Sequence, residues 1–199
     1  SGALSIGIPG TVAGLFKVYE KYATLPLDLL FEPAIKLAEN GYILTERQAN
    51  LLNYNRNTIN KLNDTILLFS KKFNKGDLFI NKALGKTLRL ILKNGRDEFY
   101  RGSISKNIIN YVNSRNGILM EEDFENYEAV WREPIRFNYK NLNIISMGPP
   151  SSGGIVLGQI LKMVEPYDLS IYNHNSLEYI QLLVEAQRRS FADRGKYLG

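Results

Sequence analysis

Gly148-Pro149-Pro150-Ser151-Ser152-Gly153-Gly154 separates two apolar runs, residues 142–147 and 155–161. The first run is typical of a strand and the second of a helix. The prolines fix φ and withhold backbone donors. The serines can cap a helix through their hydroxyls, and the glycines permit a close backbone approach or a positive φ. The pattern therefore predicts a rigid strand-to-helix joint. A helix that begins at a glycine-rich turn is a common place for function in α/β proteins.

Outward from this joint, the chain is predicted to be helix-rich, with about three strands. Residues 130–137 and 142–147 form a hairpin, and helices cover about 153–165 and 176–194. Upstream, residues 11–128 are mainly helical. The expected helices there lie at about 12–22, 26–40, 45–59, 80–93 and 103–116. We expect one α/β (α+β) domain over residues 1–199.

Three further local expectations concern the upstream region. Residues 3–8 alternate apolar and small side chains, which favours a short buried strand. Pro33 is expected to kink or divide its helix. Residues 60–77 are rich in Asn and Lys, and predict a long loop with one short helical turn.

Composition excludes several classes of site. The chain has no cysteine, which rules out disulfides, thiolate metal sites and a cysteine nucleophile within it. The net charge of +5 is spread along the sequence, so nucleic-acid binding is disfavoured. No apolar run approaches the roughly 20 residues of a membrane span, and no signal peptide is recognised. We expect neither a cofactor nor a bound metal.

Weaker motifs leave alternatives open. Gly7, Gly10 and Gly14 suggest a dinucleotide-binding turn, but the spacing is wrong and no acidic residue follows at the required distance. A helix start with close packing is the simpler interpretation. His174 lies in a polar loop, residues 121–123 suit a helix start, and Asp193-Arg194 suits a structural or surface ion pair. Ser1 could act as an N-terminal nucleophile, or simply precede the next segment.

A set of sequence blocks, taken in order along the whole chain, resembles the gamma-glutamyltranspeptidase family. The blocks are residues 2–15, 24–26, 32–41, 98–102, 122–124, Tyr127, 131–134, 147–154, 191–194 and 197–199. Each block is weak alone, and their joint order carries the resemblance. The 50–79 segment matches loosely, so substrate preference does not transfer.

The resemblance implies part of an N-terminal-nucleophile hydrolase with an αββα sandwich. In this family a precursor cuts itself into a large and a small subunit, and the new N-terminal Thr of the small subunit attacks a γ-glutamyl amide to form an acyl-enzyme. The chain resembles the central-to-C-terminal part of the large subunit. The nucleophile then lies downstream of residues 197–199, and Ser1 is internal to the pattern. The resemblance also suggests a periplasmic or secreted protein, with the cytoplasm as the alternative.

Two interpretations of the joint remain open. Ser151, Ser152, Gly153 and Gly154 either form a rigid structural joint or line the substrate cleft of the complete enzyme. The expected partners are the small subunit of the same precursor and a γ-glutamyl substrate such as glutathione, without nucleic acid. A non-catalytic relative that kept the fold, or a related acylase or poly-γ-glutamate depolymerase, are the alternatives for function.

Overall fold

The computed structural model describes residues 2–63 and 67–198. The chain divides into two compact units, Ser1–Ala129 and Val130–Gly199. The expectation of a single domain over residues 1–199 stays a prediction.

The first unit is built mainly from helices. They are α1 (Thr11–Tyr22), α2 (Leu27–Asn40), α3 (Glu46–Leu62), α4 (Lys82–Asn94), α5 (Arg96–Tyr100), α6 (Ser103–Asn113) and α7 (Glu121–Glu125). Two short strands, β1 (Tyr42–Ile43) and β2 (Leu78–Phe79), pair antiparallel with Tyr42 opposite Phe79. Most of the predicted helices are confirmed, whereas neither strand was predicted.

Local capping signals set the helix boundaries in this unit. Thr45 and Gln48 form a capping box at the start of α3, with each side chain bonded to the other's backbone N–H. The side chain of Asn81 accepts from the N–H of Leu84 at the start of α4. Gly41, with φ of 83°, ends α2 as predicted, because a residue with a side chain is strained there.

Two buried clusters hold the first unit together. One combines residues of α1, α5, α6 and α7 with one residue of the segment between α6 and α7: Ala13, Tyr100, Ile109, Val112, Phe124 and Leu119. The other forms around the β1–β2 pair: Leu44, Ala49, Phe73 and Phe79. Tyr100 and Phe124 are completely buried, so they anchor the larger cluster.

The predicted strand over residues 3–8 is wrong. Residues Ala3–Ser5 form a single 3₁₀ turn, closed by the Ser5 hydroxyl donating to the Gly2 carbonyl at 2.8 Å. Leu4 and Ile6 are exposed. Alternation of apolar residues produces a strand only where a neighbouring strand pairs with it, and this segment has no such neighbour within the described ranges.

Two other expectations need correction. Helix α2 is not divided at Pro33, which lies on the exposed side, where water can bond the carbonyl that proline leaves without a donor. The loop expected at 60–77 begins later than predicted, because α3 extends to Leu62. It contains the expected helical turn, Leu68–Ser70, and residues 64–66 of this prediction lie outside the described residues.

The second unit is a hairpin followed by two long helices. Strands β3 (Ile135–Tyr139) and β4 (Leu142–Ser146) pair antiparallel, with Tyr139 opposite Leu142. Helix α8 covers Gly153–Val164, a 3₁₀ turn covers Leu169–Ile171, and α9 covers Leu177–Tyr197. The predicted hairpin and both helices are confirmed, but the first strand begins at Ile135 rather than at residue 130, and the turn between the strands is tighter than expected.

Helix α8 packs on both the hairpin and α9. Its buried residues are Gly154, Val156 and Val164, and those of α9 are Ala186 and Ser190. A Cβ at Gly158 would lie 3.2 Å from the ring of Phe137 on β3, so this position accommodates the ring closely. The helix-rich α+β class is therefore confirmed.

Candidate functional site

The strand-to-helix joint is closely packed, because backbone carbonyl groups lie directly against two of its glycines. A Cβ at Gly154 would collide with the carbonyl oxygen of Met147, at the end of β4. A Cβ at Gly148 would lie 2.8 Å from the carbonyl oxygen of Glu133. Both glycines therefore serve close approach rather than a positive φ. The first turn of α8 rests on the strand that leads into it.

The two serines of the joint have different partners. Ser151 Oγ accepts from the N–H of Gly153 at 3.3 Å, as a capping hydroxyl would. Ser152 occupies the N-cap position, but its hydroxyl makes no capping bond. It accepts instead from Nε of Arg194 at 2.9 Å. The expectation that both serines cap α8 is wrong for Ser152, because a charged donor from a distant helix takes the hydroxyl.

A second polar contact joins α8 to α9. The amide of Gln159 donates to Oδ2 of Asp193 at 2.8 Å, while its own carbonyl oxygen is buried without a partner in the described part of the chain. Asp193 and Arg194, which the sequence suggested as an ion pair, thus each bind α8. The packing of the two helices is locked by hydrogen bonds as well as by apolar contacts.

An open cleft of about 640 Å³ lies beside the joint, within the second unit. Its lining residues are Arg132, Glu133, Pro134, Ile145, Ser146, Met147, Gly148, Pro149, Pro150 and Ser151. Of the four predicted site residues, Ser151 lines this cleft, whereas Ser152, Gly153 and Gly154 lie beyond it at the start of α8. Ile145 and Met147 on its wall are 60% and 70% exposed, so the cleft has an apolar wall open to contact.

Of the glycines at 7, 10 and 14, only Gly10 has a close packing partner. Gly10 lies against the Tyr127 ring, where a Cβ would be 2.8 Å from Cζ. The hydroxyl of Tyr100 accepts from the N–H of Ala13 at 3.0 Å and donates to the carbonyl of Pro9 at 2.7 Å. Two tyrosines therefore hold the start of α1, which agrees with the simpler interpretation of a closely packed helix start.

The same cluster is completed by a cation. The rings of Tyr100 and Tyr127 stack in parallel with centroids 5.6 Å apart, and the guanidinium of Arg96 lies 4.7 Å from the Tyr100 centroid. Arg96 also donates to the carbonyl of Tyr127. Burial raises the pKa of Tyr100, against the opposing effect of the Ala13 N–H. The phenol therefore stays protonated at neutral pH and keeps its bond to Pro9.

The other sequence candidates are ordinary surface features. His174 is exposed in its loop. The carboxylate of Asp123 accepts from the N–H of Met120 at 2.8 Å, which makes it part of a helix start. No cluster of three or more potential metal-ligating side chains occurs in residues 2–63 and 67–198. In those ranges no helix is long and apolar enough to span a membrane. The candidate nucleophile Ser1 lies outside the described residues.

Comparison with known proteins places this architecture. The family model for gamma-glutamyltranspeptidase matches residues 1–199. The chain belongs to the gamma-glutamyltranspeptidase family. It is 38% identical to the glutathione hydrolase proenzyme of Escherichia coli, over 98% of this chain and 34% of that protein. It is 32% identical to the Acylase ACY 1 proenzyme of Pseudomonas sp. (strain SE83), over 97% of this chain and 35% of that protein.

A solved structure from the gamma-glutamyltranspeptidase family superposes closely. The Helicobacter pylori gamma-glutamyltranspeptidase matches with a TM-score of 0.93 and 40% identity, over all of this chain and 58% of that one. The predicted N-terminal-nucleophile hydrolase fold is therefore confirmed. The chain spans about a third of the length of the curated relatives it matches, at 34% of each of the first two.

Sequence reasoning missed the two side chains that hold these glycine-rich turns from a distance. Arg194 reaches Ser152 from 42 residues away, and Tyr100 reaches Pro9 from 91 residues away. No local spacing links either pair. The signal available in the sequence was the set of blocks shared with the gamma-glutamyltranspeptidases, which includes 98–102, 147–154 and 191–194.

Proposed function

We propose that the protein is part of an enzyme that transfers or hydrolyses γ-glutamyl groups, acting on γ-glutamyl peptides such as glutathione. The observation that carries this proposal is the match of all 199 residues to one family model, together with the TM-score of 0.93. The relatives are proenzymes, and the E. coli relative is a glutathione hydrolase proenzyme. No cofactor or metal is required.

The chemistry proposed is acyl transfer through a covalent intermediate. The hydroxyl of an N-terminal Thr, supplied by the small subunit of the same precursor, attacks the γ-glutamyl carbonyl carbon, and the amine leaves with the proton. Water or an amino acid then attacks the acyl ester and releases the Thr. In this scheme the chain described above contributes the framework and one wall of the site, and it is inactive by itself.

For the joint we propose a double role. Gly154 is structural, because it allows the first turn of α8 to rest against the residue that follows β4. Gly153 has no such constraint, since a Cβ there would meet only Ser151 Oγ at 3.4 Å. Ser151 lines the substrate cleft, and Ser152, at the start of α8, contacts the substrate only in the complete enzyme. The position of Ser151 on the cleft wall supports this assignment. So does the Ser152 hydroxyl, which the helix start does not use.

The test uses the full-length precursor. Self-cleavage into two subunits, followed by release of amine from a chromogenic γ-glutamyl anilide, is the expected result. A glutaryl anilide, which lacks the α-amino group, is the matched substrate for the acylase alternative, and it should turn over far more slowly. Faster turnover of the glutaryl anilide would favour the acylase, and a precursor that stays uncleaved and inactive would favour the non-catalytic relative.

Ser152→Ala in the same precursor separates the two roles of the joint. A processed enzyme with raised KM supports contact with substrate. Loss of folding or of processing would support a purely structural role.

A further inference from the structure

Helix α9 holds α8 at two points through two adjacent residues. Arg194 bonds the N-cap residue Ser152 at 2.9 Å, and Asp193 bonds Gln159 in the middle of α8 at 2.8 Å. The second bond fixes the position of α9 against α8, so the first places a guanidinium at the start of α8. The positively charged group beside the joint is therefore a side chain of α9 and not of residues 148–154.

The direction of the Ser152–Arg194 bond has a chemical consequence. A guanidinium carries only donors, so Ser152 Oγ must accept. The hydroxyl proton of Ser152 then remains available for a different acceptor. The hydroxyl of a capping serine accepts from backbone N–H groups of its helix. The Ser152 hydroxyl accepts instead from the side chain of Arg194, which a substitution can remove without altering the helix backbone.

The other arginines of α9 behave differently. Arg188 and Arg189 each pair with Glu185 on the surface of the helix, both at 2.7 Å. Arg194 instead directs Nε to a neutral hydroxyl, while its guanidinium carbon lies 5.9 Å from the Phe191 ring centroid. A charged donor on a serine strengthens the bond and narrows the orientations of the hydroxyl. This is the arrangement expected of a group that orients a ligand-binding side chain.

We propose that Arg194 is a positioning residue, which orients the Ser152 hydroxyl so that its proton is donated to a carbonyl or carboxylate oxygen of the substrate. This inference rests on the proposed γ-glutamyl-transferring function. Arg194 does not touch the substrate and acts through Ser152. Its effect should therefore appear as weaker substrate binding, rather than as slower chemistry.

The experiment is a double-mutant cycle in the full-length precursor. The variants are Arg194→Met, Ser152→Ala and the two combined, with Arg194→Lys as the conservative variant and Arg188→Met as the matched control. KM and kcat are measured for the processed enzymes with the γ-glutamyl anilide. Arg194→Leu, which also lacks a donor, replaces the methionine variant in the cycle if that variant is not processed.

We expect each single substitution in the cycle to raise KM about tenfold while leaving kcat within about twofold. The combined variant should raise KM no further, because both changes remove the same interaction. Arg194→Lys should recover most of the affinity, and Arg188→Met should match the wild type. A combined variant whose KM rises about a hundredfold, as two independent effects would multiply, would overturn the inference about Arg194. An unchanged KM in processed Arg194→Met would do the same, and neither result would affect the proposed function. A wild-type precursor that shows no turnover would refute the proposed function itself.

Discussion

Replacing Gly154 by alanine should destabilise the second unit, even though alanine is the better helix former. The added Cβ would collide with the carbonyl oxygen of Met147 and lie 3.2 Å from Cβ of Ser146. Ser146 is the last residue of β4 and Met147 follows it. The Met147 carbonyl is a backbone group, so it cannot turn aside as a flexible side chain would. Relief requires α8 to move away from the strand.

The size of the effect follows from two opposing contributions. Forcing an extra carbon into a packed site costs about 1–3 kcal/mol. Substituting glycine by alanine in a compatible helical conformation returns about 0.4–1 kcal/mol through the unfolded chain. At the middle of both ranges, the net loss in the free energy of unfolding is about 1.3 kcal/mol, which is roughly a ninefold shift in the unfolding equilibrium.

Gly153 provides the matched control one residue away. A Cβ there would have its nearest neighbour, Ser151 Oγ, at 3.4 Å, which is an ordinary contact. Gly153→Ala should therefore leave stability unchanged or slightly raised. Urea denaturation of the 199-residue chain, followed by the fluorescence of its single tryptophan, Trp131 of the second unit, measures both variants. Equal stability of Gly154→Ala and Gly153→Ala would refute the close-approach argument.

Three further predictions concern the first unit. Tyr100→Phe should lower the free energy of unfolding by about 1–3 kcal/mol, because the N–H of Ala13 and the carbonyl of Pro9 lose their hydrogen-bond partner. Tyr111→Phe, at an exposed position, is the control and should change the free energy of unfolding little. Both are measured by the same denaturation assay, followed by circular dichroism. Burial raises the pKa of Tyr100, so the stabilising contribution of its phenol is complete below about pH 10 and is lost as the pH rises through the folded-state pKa. The difference in Tm between the wild type and Tyr100→Phe should therefore shrink above about pH 10. A difference in Tm that stays constant up to about pH 11 would contradict this prediction. Thr45→Ala should lower the free energy of unfolding by about 1 kcal/mol, because it removes the capping box of α3. Thr58→Ala, on the exposed side of α3, is the control and should not destabilise the protein. Equal Tm values for the two variants would contradict the stabilising role of the capping box.

Sequence patterns predicted the elements whose signals are local. The capping residue Thr45, the terminating glycine Gly41 and the hairpin before the joint all lie within a few residues of what they control. These features follow from backbone geometry and nearby hydrogen bonds, and the structure confirms them. The order of the helices follows from the same signals.

The sequence failed where a distant residue decides the outcome. The strands β1 and β2 have two residues each and exist only because Tyr42 pairs with Phe79. Ser152 has the sequence position of a capping residue, yet its hydroxyl is taken by Arg194. The segment at 3–8 has strand-like alternation without a partner strand in the described ranges. In each case the local sequence indicates the preference of the residue but does not identify the distant residue that it contacts.

The tyrosine that holds the start of α1 also determines when that helix start can be completed during synthesis of the chain. Tyr100 is synthesised 87 residues after Ala13. At a translation rate of about 5–20 residues per second, the N–H of Ala13 spends roughly 4 to 17 s bonded to water before its phenol partner exists. The first turn of α1 is therefore completed only after α5 has been synthesised, because the phenol that accepts from its N–H group lies in α5.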